Sequence, residues 1–166
     1  MDDYEAVRAL YEEPGMLAYM PSFFPAEEPE AYFESYVKNM YRFYDFGMYV
    51  LEDARTGRII GHAGLGVEDG ADSSKAGRNG GEAVVAGGMP VKEQEDARIT
   101  LGYVISAPYR HKGLATLACR EILLYARDSL YLDHVWIRVA QRNGGSLAVA
   151  HHLQQLFGDF VIVDVT

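Results

Sequence analysis

The 166-residue chain is poor in several features that mark particular classes of protein. Cys119 is the only cysteine, so the chain can form neither a disulfide framework nor a cysteine-rich metal site. No apolar run approaches the roughly 20 residues that a membrane-spanning helix needs. The first five residues, MDDYE, are acidic and do not have the basic start of a signal peptide. We therefore expect a cytoplasmic protein with no membrane partner.

Positive charge is also scarce. The chain has 15 Lys and Arg against 24 Asp and Glu, which gives a net charge of −9. Binding to nucleic acid depends on clustered basic residues, so this balance argues against a nucleic-acid partner. It would favour a cationic acceptor such as an amine, although an acidic surface more often serves only solubility.

Nucleotide and metal motifs are missing as well. There is no Gly-x-x-x-x-Gly-Lys-Ser/Thr sequence, and residues 61–66, GHAGLG, have the wrong spacing for a dinucleotide-binding fingerprint. His62 in this stretch is expected to be a core residue rather than a catalytic base. Without a His-x-x-x-His pair or a carboxylate cluster, no metal site is expected.

What the chain has is a composition typical of a soluble globular protein, with 49% hydrophobic and 23% charged residues. We expect a single domain over residues 1–166, which is long enough to bury about 70% of its unfolded surface. Hydrophobic periodicity predicts helices at residues 2–13, 29–46, 112–129 and 147–157. It predicts strands at residues 47–54, 58–65, 98–105, 134–140 and 159–166. Strand–helix–strand units around a glycine loop indicate an α/β sheet with parallel pairing there.

Two stretches have no clean period. Residues 16–28 carry two prolines and are expected to form a loop or a short turn of helix. Residues 66–96, rich in glycine, are expected to be a loop inserted between two strands, with a possible brief strand at 82–86. A lid, a partner contact and plain disorder are all compatible with this loop.

Two of the predicted helices have a recognisable core face. In the helix at 29–46 the stripe is Phe33, Val37, Met40 and Tyr44. In the helix at 112–129 the face consists of Leu114, Leu117, Ala118, Ile122 and Tyr125. Cys119 lies within this second helix, which favours a packing role over a reactive thiol.

Residues 101–118, LGYVISAPYRHKGLATLA, carry the clearest functional signal. A strand and a turn lead through a glycine-containing loop straight into a helix, whose first N–H groups have no intrahelical partner and whose dipole adds partial positive charge. Gly113 has no Cβ, so an anion can approach the backbone closely. Arg110 and Lys112 add two cationic side chains. We predict a phosphate-binding loop; the alternative is a basic loop on an ordinary strand–helix crossover.

This stretch resembles a known motif. A strand, Arg-x-x-Gly-x-Ala at residues 110–115 and a helix are similar to the acyl-CoA pyrophosphate motif of the GNAT superfamily of N-acyltransferases. A later strand leads to Asn-Gly-Gly-Ser at residues 143–146 and another helix. That order resembles the branch containing the ribosomal-protein N-terminal acetyltransferases, where Asn-x-x-Ser follows the fifth strand.

The resemblance implies an α/β fold of the GNAT type. The central sheet would be mixed and mostly antiparallel, with parallel fourth and fifth strands (residues 98–105 and 134–140) and helices on both faces. Both ends depart from the family pattern. We expect neither the family's first strand before the helix at 2–13 nor its seventh strand, and FGDF at residues 157–160 stands in place of the usual Leu-Gly-Phe ending.

The resemblance also implies a function. An acetyl group would pass directly from acetyl-CoA, used as a co-substrate without a metal, to a primary amine on a protein N-terminus or a small molecule. A monomer and a homodimer are both compatible with this activity, and tyrosines of the helix at 29–46 could line the acceptor site. The cofactor-binding residues carried over by position comprise strand backbone for the pantetheine, the loop for the pyrophosphate and two contacts to the cofactor arm: Tyr103, Val104, Ile105, Arg110, His111, Lys112, Gly113, Leu114, Ala115, Thr116, Asn143 and Ser146.

Two catalytic positions depart from the pattern. The family's glutamate base is replaced by Thr100, for which Glu95 or Asp96 could substitute, although loop carboxylates are more often simply solvated. The family's tyrosine acid is replaced by Ala150, and the histidines at 151 and 152 are more typical of surface residues. The catalytic residues are therefore left open. A GNAT-like module that binds acyl-CoA with little or no turnover is the alternative function.

Overall fold

The computed structural model describes residues 3–19, 23–68 and 97–166. Its α-helices are α1 (Asp3–Tyr11), α2 (Pro29–Tyr44), α3 (Leu114–Asp128) and α4 (Gly144–Phe157). Its strands are β1 (Met48–Asp53), β2 (Arg58–Glu68), β3 (Arg98–Ile105), β4 (Val135–Val139) and β5 (Val161–Val165). Short 3-10 helices lie at Met16–Ala18, Ala107–Tyr109 and Gly158–Phe160.

The five described strands form one mixed sheet in chain order. β1, β2 and β3 are joined by antiparallel pairing, whereas β3 pairs with β4 and β4 with β5 in parallel. The predicted α/β architecture, with parallel pairing of residues 98–105 and 134–140, is confirmed. The parallel pairing of β5 was not predicted, and it follows from the α4 crossover, because a helix between two neighbouring strands returns the chain in the same direction.

Helices cover both faces of this sheet, as predicted. Side chains alternate along a strand, so Leu101 and Val104 of β3 point to opposite faces. Leu101 packs in a cluster with buried residues of α3 and α4, including Leu123 and Leu153. Val104 packs in a second cluster with Val7, Leu10 and Tyr11 of α1.

The helix faces follow the prediction in most positions. Cys119 is fully buried, as a packing residue should be, and burial raises the pKa of its thiol to about 12. Leu117 was assigned to the core face of its helix but is 55% exposed. Likewise, Val37 of the α2 stripe is 39% exposed, because the stripe divides between two clusters, with Phe33 beside one and Met40 in the other.

Two predicted boundaries are wrong in instructive ways. Residues 66–68 were assigned to the inserted loop but belong to β2, which pairs with β3 as far as Glu68 opposite Arg98. The last helix begins at Gly144 rather than at residue 147, because Asn143 caps it. The possible strand at 82–86 lies outside the described residues. Within the ranges the structure describes, no helix is both long and apolar enough to cross a membrane.

Candidate active site

The site begins where β3 and β4 separate. The two strands are in parallel register at Thr100 and Trp136, after which β3 continues to Ile105 without a paired residue on β4. On its other side β3 pairs with β2 along its whole length. Alternate residues of 101–105 therefore direct backbone N–H and C=O groups into an open cleft between two strand ends. An extended ligand could pair with this free strand edge.

The loop after β3 leads from this cleft to the start of α3. Residues 106–110 form a tight turn, in which Tyr109 N–H donates to the Ser106 carbonyl (2.9 Å) and Arg110 N–H to the Ala107 carbonyl (3.3 Å). His111 and Gly113 then take left-handed conformations, with φ of 58° and 76°. The positive φ at position 113 is natural for glycine, whereas His111 adopts it at some cost.

The first turn of α3 is open. Gly113 is the N-cap, its carbonyl accepts from Leu117 N–H (2.9 Å), and no side chain caps the helix. Among the residues the structure describes, no acceptor receives the amide N–H groups of residues 111–116. A Cβ built on Gly113 would have nothing within 4 Å. The predicted phosphate-binding loop thus presents a run of donors beside empty space.

The two cationic side chains of the loop already have partners. Arg110 Nε donates to the Ile105 carbonyl (2.9 Å), and its Nη2 contacts the Met16 sulfur at 3.4 Å. The Arg110 guanidinium has further donors, so it can both anchor the loop to the end of β3 and face an anion. Lys112 Nζ lies 5.0 Å from the centre of the Tyr109 ring. Lys112 and His111 are exposed.

The structure brings three other predicted residues together, from β3 and α4. Asn143 Oδ1 accepts from Ser146 N–H (3.1 Å), which closes the start of α4. The Tyr103 hydroxyl is buried and has no hydrogen-bond partner among the described residues. Burial raises the pKa of Tyr103 to about 12, and the nearby Ser146 hydroxyl, which lies outside hydrogen-bonding geometry, partly offsets this increase. Tyr103, Asn143 and Ser146 therefore lie together between β3 and α4.

The catalytic candidates from the sequence are placed less favourably. Glu95 and Asp96 lie outside the described residues. Ala150 is fully buried, and the histidines at 151 and 152 are exposed.

His62 has the core role that was predicted for it. It is 6% exposed, and its Nε2 lies 2.8 Å from the Tyr11 hydroxyl. Burial lowers the pKa of His62 to about 4, so the ring is neutral near pH 7. The neutral His62 ring, with the Tyr11 hydroxyl as its buried partner, therefore contributes to packing.

Sequence reasoning missed a charged cluster on the sheet. Arg138 of β4 contacts Glu68 of β2 (Nη2 to Oε2, 3.0 Å) and Asp164 of β5 (Nε to Oδ2, 3.4 Å). Arg98 of β3 stacks on Trp136 at 4.2 Å. The alternation of side chains along a strand could have placed Glu68, because residues two apart share a face of the sheet. Glu68 lies two residues after Gly66, which pairs with Thr100. It was overlooked because residues 66–68 were taken for loop.

The protein-family model of the GNAT acetyltransferase domain matches residues 1–154 of this chain. The chain belongs to the GNAT acetyltransferase family. Among curated proteins, none matches it. Members of this family transfer acetyl groups, and the GNAT domain described here has the open helix start and separated strands that such a transfer would use.

Solved structures have the same fold as this GNAT domain. An acetyltransferase from Agrobacterium tumefaciens str. C58 superposes with a TM-score of 0.64 at 19% identity, over 92% of this chain and 74% of its own. An N-acetyltransferase from Staphylococcus aureus Mu50 has a TM-score of 0.60 at 16% identity, with 92% and 77% covered. Ribosomal-protein-S5-alanine acetyltransferase from Vibrio fischeri has a TM-score of 0.61 at 14% identity, with 92% and 75% covered. The ribosomal branch is thus one of several similar structures.

Proposed function

We propose that this GNAT domain transfers an acetyl group from acetyl-CoA to a primary amine, on a protein N-terminus or a small molecule, by direct attack in a ternary complex. The observation that carries the proposal is the open start of α3 beside the cleft between β3 and β4. Amide donors at residues 111–116 have no described protein acceptor, and the space at Gly113 is empty. A diphosphate satisfies such donors and favours the positive end of a helix dipole.

Under this proposal the described residues would hold acetyl-CoA along its length. The pyrophosphate would take N–H groups from residues 111–116 and charge from Arg110 and Lys112. The pantetheine arm would pair with the free edge of β3 at residues 103–105, with Asn143 and Ser146 on its other side. The diphosphate loop and this strand edge are continuous in the chain, so one extended molecule can reach both.

The chemistry needs a neutral amine next to the thioester. The amine lone pair attacks the carbonyl carbon, and a backbone N–H on the free edge of β3 can stabilise the oxyanion that develops. Much of the acceleration comes from holding both substrates together, because a reaction between two bound molecules loses its entropic cost of encounter.

A second function is favoured by two specific observations. Thr100 replaces the base expected at its position, and the fully buried Ala150 replaces the acid. Under this alternative the domain binds acyl-CoA without effective turnover.

Two measurements separate these functions. Isothermal titration calorimetry with acetyl-CoA measures cofactor binding, and a thiol-release assay with a panel of peptide α-amines and alkylamines measures transfer. We expect both binding and release. Binding without release from any amine supports the binding module, whereas no binding contradicts both functions.

A further inference from the structure

Glu68 of β2 and Thr100 of β3 lie on the same face of the sheet. In the β2–β3 register, Gly66 lies opposite Thr100 and Glu68 lies opposite Arg98. Residues two apart on a strand share a face, so Glu68 and Thr100 are diagonal neighbours, within about 7–8 Å between backbones. This is the face opposite α3 and α4, because Leu101 and Ile137 point to those helices. The adjacent strand therefore carries a carboxylate on the face of Thr100.

Glu68 is not a solvated surface carboxylate. Its side chain is 15% exposed, and its Oε2 is buried, with Arg138 Nη2 3.0 Å away. The ion pair joins β2 to β4 across β3, so the carboxylate is directed over the strand that carries Thr100. A carboxylate that is held in place and largely withdrawn from solvent is able to accept a proton.

The charged groups around Glu68 come from each neighbouring strand. Arg98 of β3 and Arg138 of β4 favour the ionised carboxylate, and Asp164 of β5 opposes it. Burial outweighs the two arginines and raises the pKa of Glu68 above its ordinary value. The carboxylate is thus more basic than an exposed glutamate, as a general base should be.

We propose that Glu68 is the general base that takes a proton from the ammonium group of the acceptor. The proposal rests on the acetyltransferase function above and adds a residue to it. The acceptor ammonium gives one proton to the Glu68 carboxylate, directly or through a water, and becomes a neutral amine. Its lone pair then forms the C–N bond, the C–S bond breaks, and its electron pair leaves with sulfur. The second nitrogen proton passes to the thiolate, which gives the free thiol, and Glu68 returns its proton to solvent.

Other described carboxylates and histidines are less suited to this role. Asp164 stands one strand further away, is 31% exposed and contacts the same arginine at 3.4 Å. His62 shares the sheet face but lies opposite Val104, where Tyr11 occupies its Nε2. Arg138, which contacts Glu68 and Asp164 together, is assigned as a positioning residue that holds the Glu68 carboxylate in place.

The experiment compares Glu68→Gln with Glu52→Gln, a matched change at an exposed glutamate on β1. Acetyl-CoA affinity is measured by calorimetry, and kcat/KM for peptide α-amines is measured by thiol release from pH 6 to 10. At pH 7 we expect Glu68→Gln to lose roughly 10²- to 10⁴-fold in kcat/KM, with acetyl-CoA affinity within about twofold of wild type. Glu52→Gln should match the wild-type chain in both measurements.

The pH profile separates a base from a merely structural carboxylate. The wild-type rate should rise through the pKa of Glu68 and then level off. The Glu68→Gln rate should instead rise with the acceptor's own amine pKa, near 8 for an α-amine, so the deficit shrinks as pH increases. Glu68→Asp keeps the carboxylate and should recover part of the rate; it also tests the role if Glu68→Gln does not fold.

Three outcomes would overturn the role of Glu68, and one of them would also overturn the proposed function. A wild-type chain that acetylates amines, with Glu68→Gln equal to it in rate and pH profile, overturns the role of Glu68 alone. A deficit that is the same at every pH also overturns it, because it indicates a structural defect. A wild-type chain that binds acetyl-CoA but acetylates no amine overturns the proposed function and the role together.

Discussion

The starts of α3 and α4 differ although both helices follow a strand of the parallel part of the sheet and pack on the same face. At α4 the side chain of Asn143 closes the helix by accepting from Ser146 N–H. At α3 the N-cap is Gly113, which has no side chain to offer, and the amides of residues 111–116 find no acceptor in the described part of the chain. One start is capped by a side chain of the protein, and the other is open.

The difference between the two helix starts concerns stability, because only the start of α4 has a capping side chain. A capping side chain contributes about 1 kcal/mol, so an uncapped helix start is a cost to the folded protein. An anion bound there offsets this cost, because it accepts from the free amides and interacts with the helix dipole. We therefore expect changes at the start of α3 to act on binding, and changes at the start of α4 to reduce stability where they remove the Asn143 cap.

The largest expected effect comes from making the same substitution at both helix starts. Gly113→Glu places a side chain and a negative charge among the free amides, so acetyl-CoA binding should be abolished, a loss of at least about 100-fold by calorimetry. Gly144→Glu at α4 is the matched control, since an added Cβ there also has nothing within 4 Å. It should bind nearly as wild type.

Backbone strain must be separated from charge in that test, because Gly113 has a φ of 76°. Gly113→Ala introduces the same left-handed strain without the charge, and it should retain most of the binding. If Gly113→Glu binds acetyl-CoA like the wild type, the phosphate loop has been assigned wrongly.

The next effect comes from Asn143, for which capping and cofactor contact can be separated. Asn143→Asp keeps an oxygen that can accept from Ser146 N–H but loses the amide donor and adds negative charge. We expect its free energy of unfolding to stay within about 0.5 kcal/mol of wild type, with acetyl-CoA affinity about tenfold weaker. Urea denaturation and calorimetry measure the two quantities.

The companion variant Asn143→Ala should lose about 1 kcal/mol of stability as well. Unchanged affinity in both variants would restrict Asn143 to capping and remove it from the cofactor site.

The comparison of the two helix starts also shows how far the sequence could predict this molecule. The loop and its glycine were predictable because a strand, a basic loop and an amphipathic helix are local patterns. The early start of α4 at Gly144 was not, since two glycines have poor helix propensity and only the Asn143 cap makes them helical. Gly66 was likewise assigned to a loop because glycine is uncommon within strands, although it belongs to β2 and pairs with Thr100.

The charged cluster was out of reach for a different reason. Glu68, Arg138 and Asp164 are far apart in the chain and meet only because β2, β3, β4 and β5 are neighbours in that order. The face of the sheet to which each residue of one strand points can be predicted from the sequence. Which residues of neighbouring strands lie opposite one another depends on tertiary packing. The sequence therefore offered only the nearby Glu95 and Asp96 in place of the base missing at Thr100, whereas the base that we propose, Glu68, lies on the adjacent strand.

A smaller effect is expected for Arg110. Arg110→Ala removes a cation near the free amides and the bond to the Ile105 carbonyl, so affinity for acetyl-CoA should fall by a few fold, on the order of 1 kcal/mol. Repeating the titration at higher salt tests the cause, since the part of the loss that is due to charge should shrink. A loss that does not change with salt would assign Arg110 to anchoring the loop alone.

Lys112 should have the smallest effect of the series. Its ammonium group is exposed and stacks over Tyr109 at 5.0 Å, so it reaches an anion only by leaving that ring or by acting through solvent. We expect Lys112→Ala to weaken acetyl-CoA binding by no more than about twofold, with Lys38→Ala on α2 as a distant control of equal charge. If Lys112→Ala instead loses more than Arg110→Ala, cationic side chains rather than backbone amides dominate the grip on the diphosphate. The contrast between an open and a capped helix start would then no longer explain where the cofactor binds.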